Sequence, residues 1–217
     1  MRILTLALAG AASLLGAPAL AQTGYWYGGA DFGATHVLDI EVPATGGGTD
    51  VATEYGYDAD AFLGYDLGRF RIEVEAAYKN VDVSSFDPAS GASVNASGSI
   101  AATSLMLNAM MDFGDDEQAT SFFVGAGLGS GSVEFDDVRA AGATVNSFDT
   151  DDDALAFQVF GGGRVPINER TDLKLTYRYF KLNDVSVRPT GGVGREVDFD
   201  SHSVLVGLVI NFGAPVR

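Results

Sequence analysis

Phe70-Arg71-Ile72-Glu73-Val74-Glu75-Ala76-Ala77-Tyr78-Lys79 is the stretch that decides the fold. From Phe70 every second residue (Phe70, Ile72, Val74, Ala76, Tyr78) is apolar or aromatic, and those between (Arg71, Glu73, Glu75, Lys79, with Ala77) are mostly charged. A period of two belongs to a β-strand with two unlike faces. Charges of mixed sign packed behind an unbroken apolar face describe a strand that separates lipid from a polar interior. Energetics set its register. Sliding it by one residue would aim Arg71 and Lys79 at lipid, at roughly 2–4 kcal/mol each near the midplane and less near the interface.

Alternation recurs on both sides of this segment, at Tyr25–Thr35, Gly56–Asp66, Ser99–Phe113, Thr120–Ser130, Ala154–Val165, Asp172–Phe180 and Ser201–Phe212, for eight expected strands in all. The connections after the second, fourth and sixth are short: residues 67–69, 114–119 and 166–171. Those after the first, third, fifth and seventh run to about twenty residues and are rich in Gly, Ser, Asp and Thr. Such alternation gathers all long loops at one end. The expected fold is therefore an all-β, eight-stranded antiparallel up-and-down transmembrane barrel with short periplasmic turns and four long extracellular loops. A soluble lipocalin-like binder also has eight strands but need not segregate its loops in this way.

Each expected strand offers a lipid face: Leu105, Leu107, Ala109, Met111 and Phe113; Leu155, Phe157, Val159 and Val165; Leu173, Leu175, Tyr177 and Tyr179; Val204, Val206, Leu208, Ile210 and Phe212. Aromatics gather near strand ends and short turns. Tyr25, Trp26, Tyr27, Tyr65, Phe70, Phe113, Phe122 and Phe212 are expected to form a girdle at headgroup level.

Residues 1–21 read as a secretory signal. Arg2 supplies the positive start, Ile3 to Leu15 the apolar stretch and Ala19-Leu20-Ala21 the small-residue cleavage site, with cleavage after Ala21. The barrel is then expected over residues 22–212, followed by a short tail at 213–217. The chain has no cysteine, so disulfides, thiolate metal sites and cysteine nucleophiles are excluded. With 13 Lys and Arg against 29 Asp and Glu the formal net charge is −16, which argues against nucleic acid as a partner.

On this register the lumen receives Asp31, Asp58, Asp60, Asp66, Glu73, Glu75, Asp112 and Asp172 together with Arg71, Lys79, Arg164, Lys174 and Arg178 and the amides Asn108 and Gln158. An eight-stranded barrel is just wide enough to be filled by side chains, and buried charges must be paired or hydrogen-bonded. These residues are expected to form a structural polar core; the alternative is a gated ion pathway through rearranging pairs. Gly125, Gly127 and Gly129 point inward, where they either make room for large neighbours such as arginine or leave a water-filled gap. Most remaining charge falls in the long connections. The third carries Glu134, Asp136, Asp137, Asp149, Asp151, Asp152 and Asp153 against Arg139 alone. Asp149 to Asp153 is not an EF-hand loop, because Ala154 stands where its glycine belongs and Phe160 where its closing acid belongs.

Catalysis finds little support. The two histidines are His36 and His202. Ser201-His202-Ser203 looks suggestive, but strand neighbours point to opposite faces, so neither serine shares the face of His202. The glycine runs at 161–163 and 125–129 lie inside expected strands, with no following helix to bind phosphate. No cofactor or metal is implied.

Trp26-Tyr27-Gly28-Gly29-Ala30-Asp31-Phe32-Gly33, Gly64-Tyr65-Asp66-Leu67-Gly68-Arg69-Phe70-Arg71 and the closing Ser201 to Phe212 resemble the outer-membrane β-barrel-domain family. That family includes opacity-type proteins and small α-proteobacterial surface antigens, similar in architecture to the transmembrane domain of outer-membrane protein A. The resemblance implies a non-enzymatic surface protein in the outer membrane of a Gram-negative bacterium, linked to adhesion or envelope integrity. It implies a monomer among outer-membrane lipids, delivered by periplasmic chaperones to the β-barrel assembly machinery, with host or environmental ligands at its loops. Val206, Leu208, Ile210 and Phe212 match the family's assembly signal. Two departures stand out: Gly213 to Arg217 follow Phe212, and Val209 occupies a position where the family often places a basic residue. A narrow porin-like channel is the alternative function, and a lipid-modifying enzyme a weaker one.

Overall fold

The computed structural model describes residues 24–38, 40–42, 49–88, 94–114, 120–140, 148–149, 153–189 and 195–212. The signal segment with its Ala21 cleavage site, the tail at 213–217 and Asp151 and Asp152 of the acidic run lie outside them. The strands are β1 (Tyr25–Val37), β2 (Ile40–Val42), β3 (Thr49–Thr53), β4 (Tyr55–Asp66), β5 (Phe70–Pro88), β6 (Val94–Phe113), β7 (Ser121–Ala140), β8 (Phe148–Asp149), β9 (Ala154–Asn168), β10 (Thr171–Pro189) and β11 (Arg195–Phe212).

Eight of these close a ring in the order β1-β4-β5-β6-β7-β9-β10-β11, every neighbour antiparallel. The first and last strands zip the seam from Trp26 opposite Phe212 to Val37 opposite Ser201. Closure leaves the membrane-spanning part of the wall without a sheet edge, as it must be because lipid cannot satisfy a free backbone group. The three remaining strands lie at the outer end. β3 pairs with the outer part of β5 and with β2, and β8 pairs with the outer part of β10.

The quoted stretch lies in β5 on the expected register. Arg71, Glu73, Glu75 and Lys79 are buried inside, while Phe70, Ile72, Val74 and Tyr78 are exposed outward. Leu107, Leu155, Leu173, Leu175, Val204, Val206, Leu208, Ile210 and Phe212 are exposed outward as well. At the periplasmic end Trp26 and Tyr65 meet edge to face at 5.2 Å. At the other end Phe32, Tyr57 and Tyr78 form a row across three strands. Between the two aromatic levels, Tyr65 to Tyr57 and Phe70 to Tyr78, lie about nine residues, the length a tilted strand needs to cross hydrocarbon.

Two expectations need correction. The long connections are largely strand: β5 runs on to Pro88, β7 to Ala140 and β10 to Pro189, while β6 begins at Val94 and β11 at Arg195. At 20 residues, β6 and β7 stand about 45 Å tall at a usual tilt, against an apolar band of about 25 Å. The barrel therefore projects well beyond the membrane. Tyr27 was expected in the girdle but is completely buried in the interior. Trp26 beside it faces outward, and adjacent strand residues cannot share a face.

The wall changes character where it leaves the membrane. Outward residues become polar: Thr103 and Ser132 join hydroxyls at 2.9 Å, and Lys181 pairs with Asp198 at 2.8 Å. Asp198, first through its hydrogen bond, and Asp200 raise the Lys181 pKa above its ordinary value. Inward residues become apolar over the same stretch, with Val37, Val81, Val83, Ile100, Val133, Phe180, Leu182, Val185, Val197 and Phe199 in one buried cluster.

This inversion yields a paired prediction. Val74→Arg, on the lipid side, should lower equilibrium unfolding stability in lipid vesicles by ~2–4 kcal/mol. Glu134→Arg, equally outward but on the projecting wall, should stay within ~0.5 kcal/mol.

Candidate functional site in the barrel interior

Inward positions of the membrane half hold an ion network whose centre is Arg178 on β10. Its guanidinium meets Glu75 at 3.0 Å, Asp60 at 2.9 Å and Asp58 at 3.5 Å. Because β10 and β5 stand opposite each other in the ring, the Arg178–Glu75 pair spans the barrel. Asp58 also pairs with Lys79. Glu75 further accepts from Asn108 at 3.0 Å and from Gln158 at 3.3 Å, and Gln158 donates to Asn108 Oδ1 at 2.8 Å. Tyr27 donates its hydroxyl to Glu73 at 3.1 Å, and Lys174 meets Asp31 at 2.7 Å.

Bridging across the barrel depends on where side chains are missing. Gly207 lies between Asp31 and Lys174 in the cross-strand register, Gly64 between Tyr27 and Glu73, and Gly127 between Asn108 and Gln158. In each triplet the outer two residues join over the glycine, and a Cβ added there would collide with one of them. The inward glycines of β7 are thus filled, not open. Gly125 accommodates Phe160, Gly127 the two amides and Gly129 Met106. None of them faces an arginine.

Nearer the periplasm, Arg71 binds Asp112 through two bonds of 2.6 Å. Arg164 binds Asp172 at 2.6 Å, and Asn211 donates to the same carboxylate at 3.0 Å. The guanidinium of Arg71 lies 5.5 Å from the Tyr27 ring and 5.3 Å from Phe123, and that of Arg164 lies 5.7 Å from Tyr27. The inward Tyr27 is therefore part of the cation packing. Asp66 accepts from the Gly68 backbone at 2.6 Å, supporting the tight turn whose glycine has a φ of 91°. Asp112 is the most accessible of the lumen residues named from sequence, its side chain 20% exposed.

Above the ions lies the apolar cluster. The sequence reading missed it, although its signal was present: the inward phase of β5 runs Arg71, Glu73, Glu75, Ala77, Lys79, Val81, Val83. Lys79 marks the boundary, paired below with Asp58 and 4.9 Å from the Phe180 ring. Val37, Met106, Phe180 and Leu182 are at most 1% exposed. A buried ion layer and a buried apolar layer thus cross the interior in series.

Ser201 and Ser203 are buried inside, whereas His202 faces outward and bonds Tyr177. Among the described residues no group of three or more His, Asp or Glu is placed to hold a metal ion.

A closed eight-strand ring with an apolar belt, two aromatic levels and an ionic interior defines an outer-membrane β-barrel. The chain belongs to the outer membrane protein beta-barrel domain family, which it matches over residues 5–212, and its place is the outer membrane of a Gram-negative bacterium. Among solved structures, the chain is similar to Neisserial surface protein A at 18% identity and a TM-score of 0.52, covering 88% of this chain and 100% of that one. It is also similar to the outer membrane protein OprG of Pseudomonas aeruginosa at 14% identity and a TM-score of 0.63, covering 89% and 98%. At such identities the likeness is one of fold. No curated protein matches the chain significantly.

Two substitutions test the network. Arg178→Met leaves Asp58, Asp60 and Glu75 with too little positive charge and should cost about 3–5 kcal/mol in urea unfolding. Gly207→Val forces Asp31 away from Lys174 and should cost ~1–3 kcal/mol.

Proposed function

We propose that this protein is a sealed, non-enzymatic barrel that works at the outer surface of the membrane, contributing to envelope integrity and to contact or adhesion. One observation carries this reading: the Arg178 ion network lies beneath a buried apolar layer, so an ion would have to break the first and be desolvated in the second. Transferring a bare ion into an apolar interior costs many kcal/mol. The projecting wall presents its chemistry to the outside instead. Glu54, Asp82, Glu134, Asp136, Asp153 and Asp198 are exposed there, while Lys181 is engaged by Asp198 and Asp200. A surface of this sign favours basic or cation-bridged partners, with an attraction that weakens as salt rises. The assembly segment Val206, Leu208, Ile210 and Phe212 lies on the lipid face of β11, accessible to a receptor in the assembly machinery. The secretory signal and monomeric state belong to the same reading.

Planar-bilayer recording of refolded protein at high and low salt tests it. Folding is to be established first by heat-modifiable migration in a gel. A silent bilayer is the expected result. Reproducible conductance steps that change with Glu75→Gln would overturn the sealed interior in favour of a narrow channel. A changed lipid A profile on overexpression would favour an enzyme.

A further inference from the structure

Glu73 is a lumen carboxyl that no base meets among the described residues. It lies on β5 between the two aromatic levels, 3% exposed, with Gly64 of β4 and Asn108 of β6 on either side in the cross-strand register. Both of its partners are neutral. The Tyr27 hydroxyl donates to Oε2 at 3.1 Å. The Asn108 amide nitrogen lies 3.4 Å from Oε1 and is closer to Glu75, at 3.0 Å.

The bases of the interior are engaged elsewhere. Arg71, two residues along the same face of β5, is held twice by Asp112 of β6. Lys174 of β10 reaches over Gly207 to Asp31 of β1, and Arg164 of β9 holds Asp172 of β10. Lys79 of β5 is on Asp58, and Arg178 of β10 is divided among Asp58 and Asp60 of β4 and Glu75. Asp66 of β4 is turned to the Gly68 backbone at the periplasmic end. Above that end the interior encloses five buried acids, Asp31, Asp58, Asp60, Glu73 and Glu75, but only three buried bases, Lys79, Lys174 and Arg178. Negative charge is therefore in excess where water is scarce, and Glu75 adds a like charge two residues from Glu73. A buried carboxylate without a cation is far costlier than the same group carrying a proton. The neutral acid suits its partners, since a carbonyl oxygen accepts from a phenol without needing a charge nearby.

We propose that Glu73 is a proton site: in the folded barrel at neutral pH its carboxyl is held as the neutral acid, with Oε2 accepting from Tyr27. The inference rests on the sealed interior, because water in an open lumen would hydrate the carboxylate. In the unfolded chain a glutamate ionises near its ordinary value of about 4.3. Above that pH the unfolded chain has released this proton and the folded barrel retains it, so folding takes up a proton and stability falls as the pH rises. The barrel is thus tightened by acid and loosened by alkali through one interior side chain.

Infrared spectra of the refolded full chain in dodecyl maltoside, a detergent with no carbonyl of its own, test the site together with urea unfolding from about pH 5.5 to about pH 8.5. The folded wild type should show the carbonyl absorption of a protonated carboxyl at neutral pH, and Glu73→Gln should lose it. Relative to that variant, the folding constant of the wild type should fall about tenfold per pH unit over the range in which the carboxyl keeps its proton. Tyr27→Phe serves as a second variant where glutamine does not fold; it should keep the absorption and shift its frequency, because the bonded hydroxyl is gone. A wild type without the absorption would overturn the proposal, as would a frequency that ignores Tyr27→Phe. A stability difference between wild type and Glu73→Gln that is the same at every pH would do so too. Persistence of the absorption in folded Glu73→Gln would move the proton to another lumen acid. Conductance is read separately, so a silent bilayer without the absorption overturns the proton site and leaves the sealed interior standing.

Discussion

The pair Arg178–Glu75 holds opposite walls of the barrel together, and most of the interior is organised around it. A guanidinium taken out of water carries a desolvation cost of several kcal/mol, recovered only when its partners are charged and well placed. Three carboxylates meet it here, two from β4 and one from β5. Glu75 is in turn held by Asn108 and Gln158 from a third side. Five strands are thereby tied to one group, and none can slip by a residue without turning a charge toward lipid. The narrowness of an eight-stranded ring completes the constraint. At three positions two inward side chains meet across a strand because the strand between them contributes none: Gly207, Gly64 and Gly127.

The same strands solve two opposite solvation problems along their length. In the membrane the solvent is hydrocarbon, so the apolar face turns outward and the polar groups satisfy one another inside. Beyond the outer aromatic level the solvent is water, and the wall is stable only if it buries an apolar core of its own, as a soluble barrel does. The inward phase of β5 and β10 does not change at this boundary; its chemistry does. Lys79 serves both regimes, with its ammonium on Asp58 and its charge over the Phe180 ring. Projection beyond the bilayer therefore follows from the buried cluster of Val81, Val83, Leu182, Val197 and Phe199, which gives the emerging strands a reason to stay paired.

Much of this was legible in the sequence, and the rest was hidden for physical reasons. The eight strands and the inward set of charges follow from period-two alternation, because a charge facing lipid is too costly to leave the register ambiguous. The projecting wall escaped notice because its outer face is polar and glycine- and serine-rich, so it reads as loop when contrast between faces is the criterion. Irregularities in pairing after Asp82 and after Leu182 further interrupt the period. Pairings across the ring, such as Arg178 with Glu75, were not readable, because they depend on which strands stand opposite each other. Tyr27 shows the limit of composition: three consecutive aromatics suggested a girdle, but only alternate ones can reach the lipid.

Closure itself is coupled to the interior chemistry. Lys174 lies on β10 and Asp31 on β1, and β11 runs between them, so their ion pair forms only once the first and last strands have met. Arg178 on β10 likewise reaches Asp58 and Asp60 on β4 only when β1 and β11 have joined between them. Before closure these polar groups lack their partners and must stay hydrated. An open ring is thus penalised twice, by free backbone groups along the seam and by unpaired charges behind it. Both penalties disappear together in the final step. That coincidence makes the barrel cooperative, and it means that the residues paired inside the lumen also decide when the wall is complete.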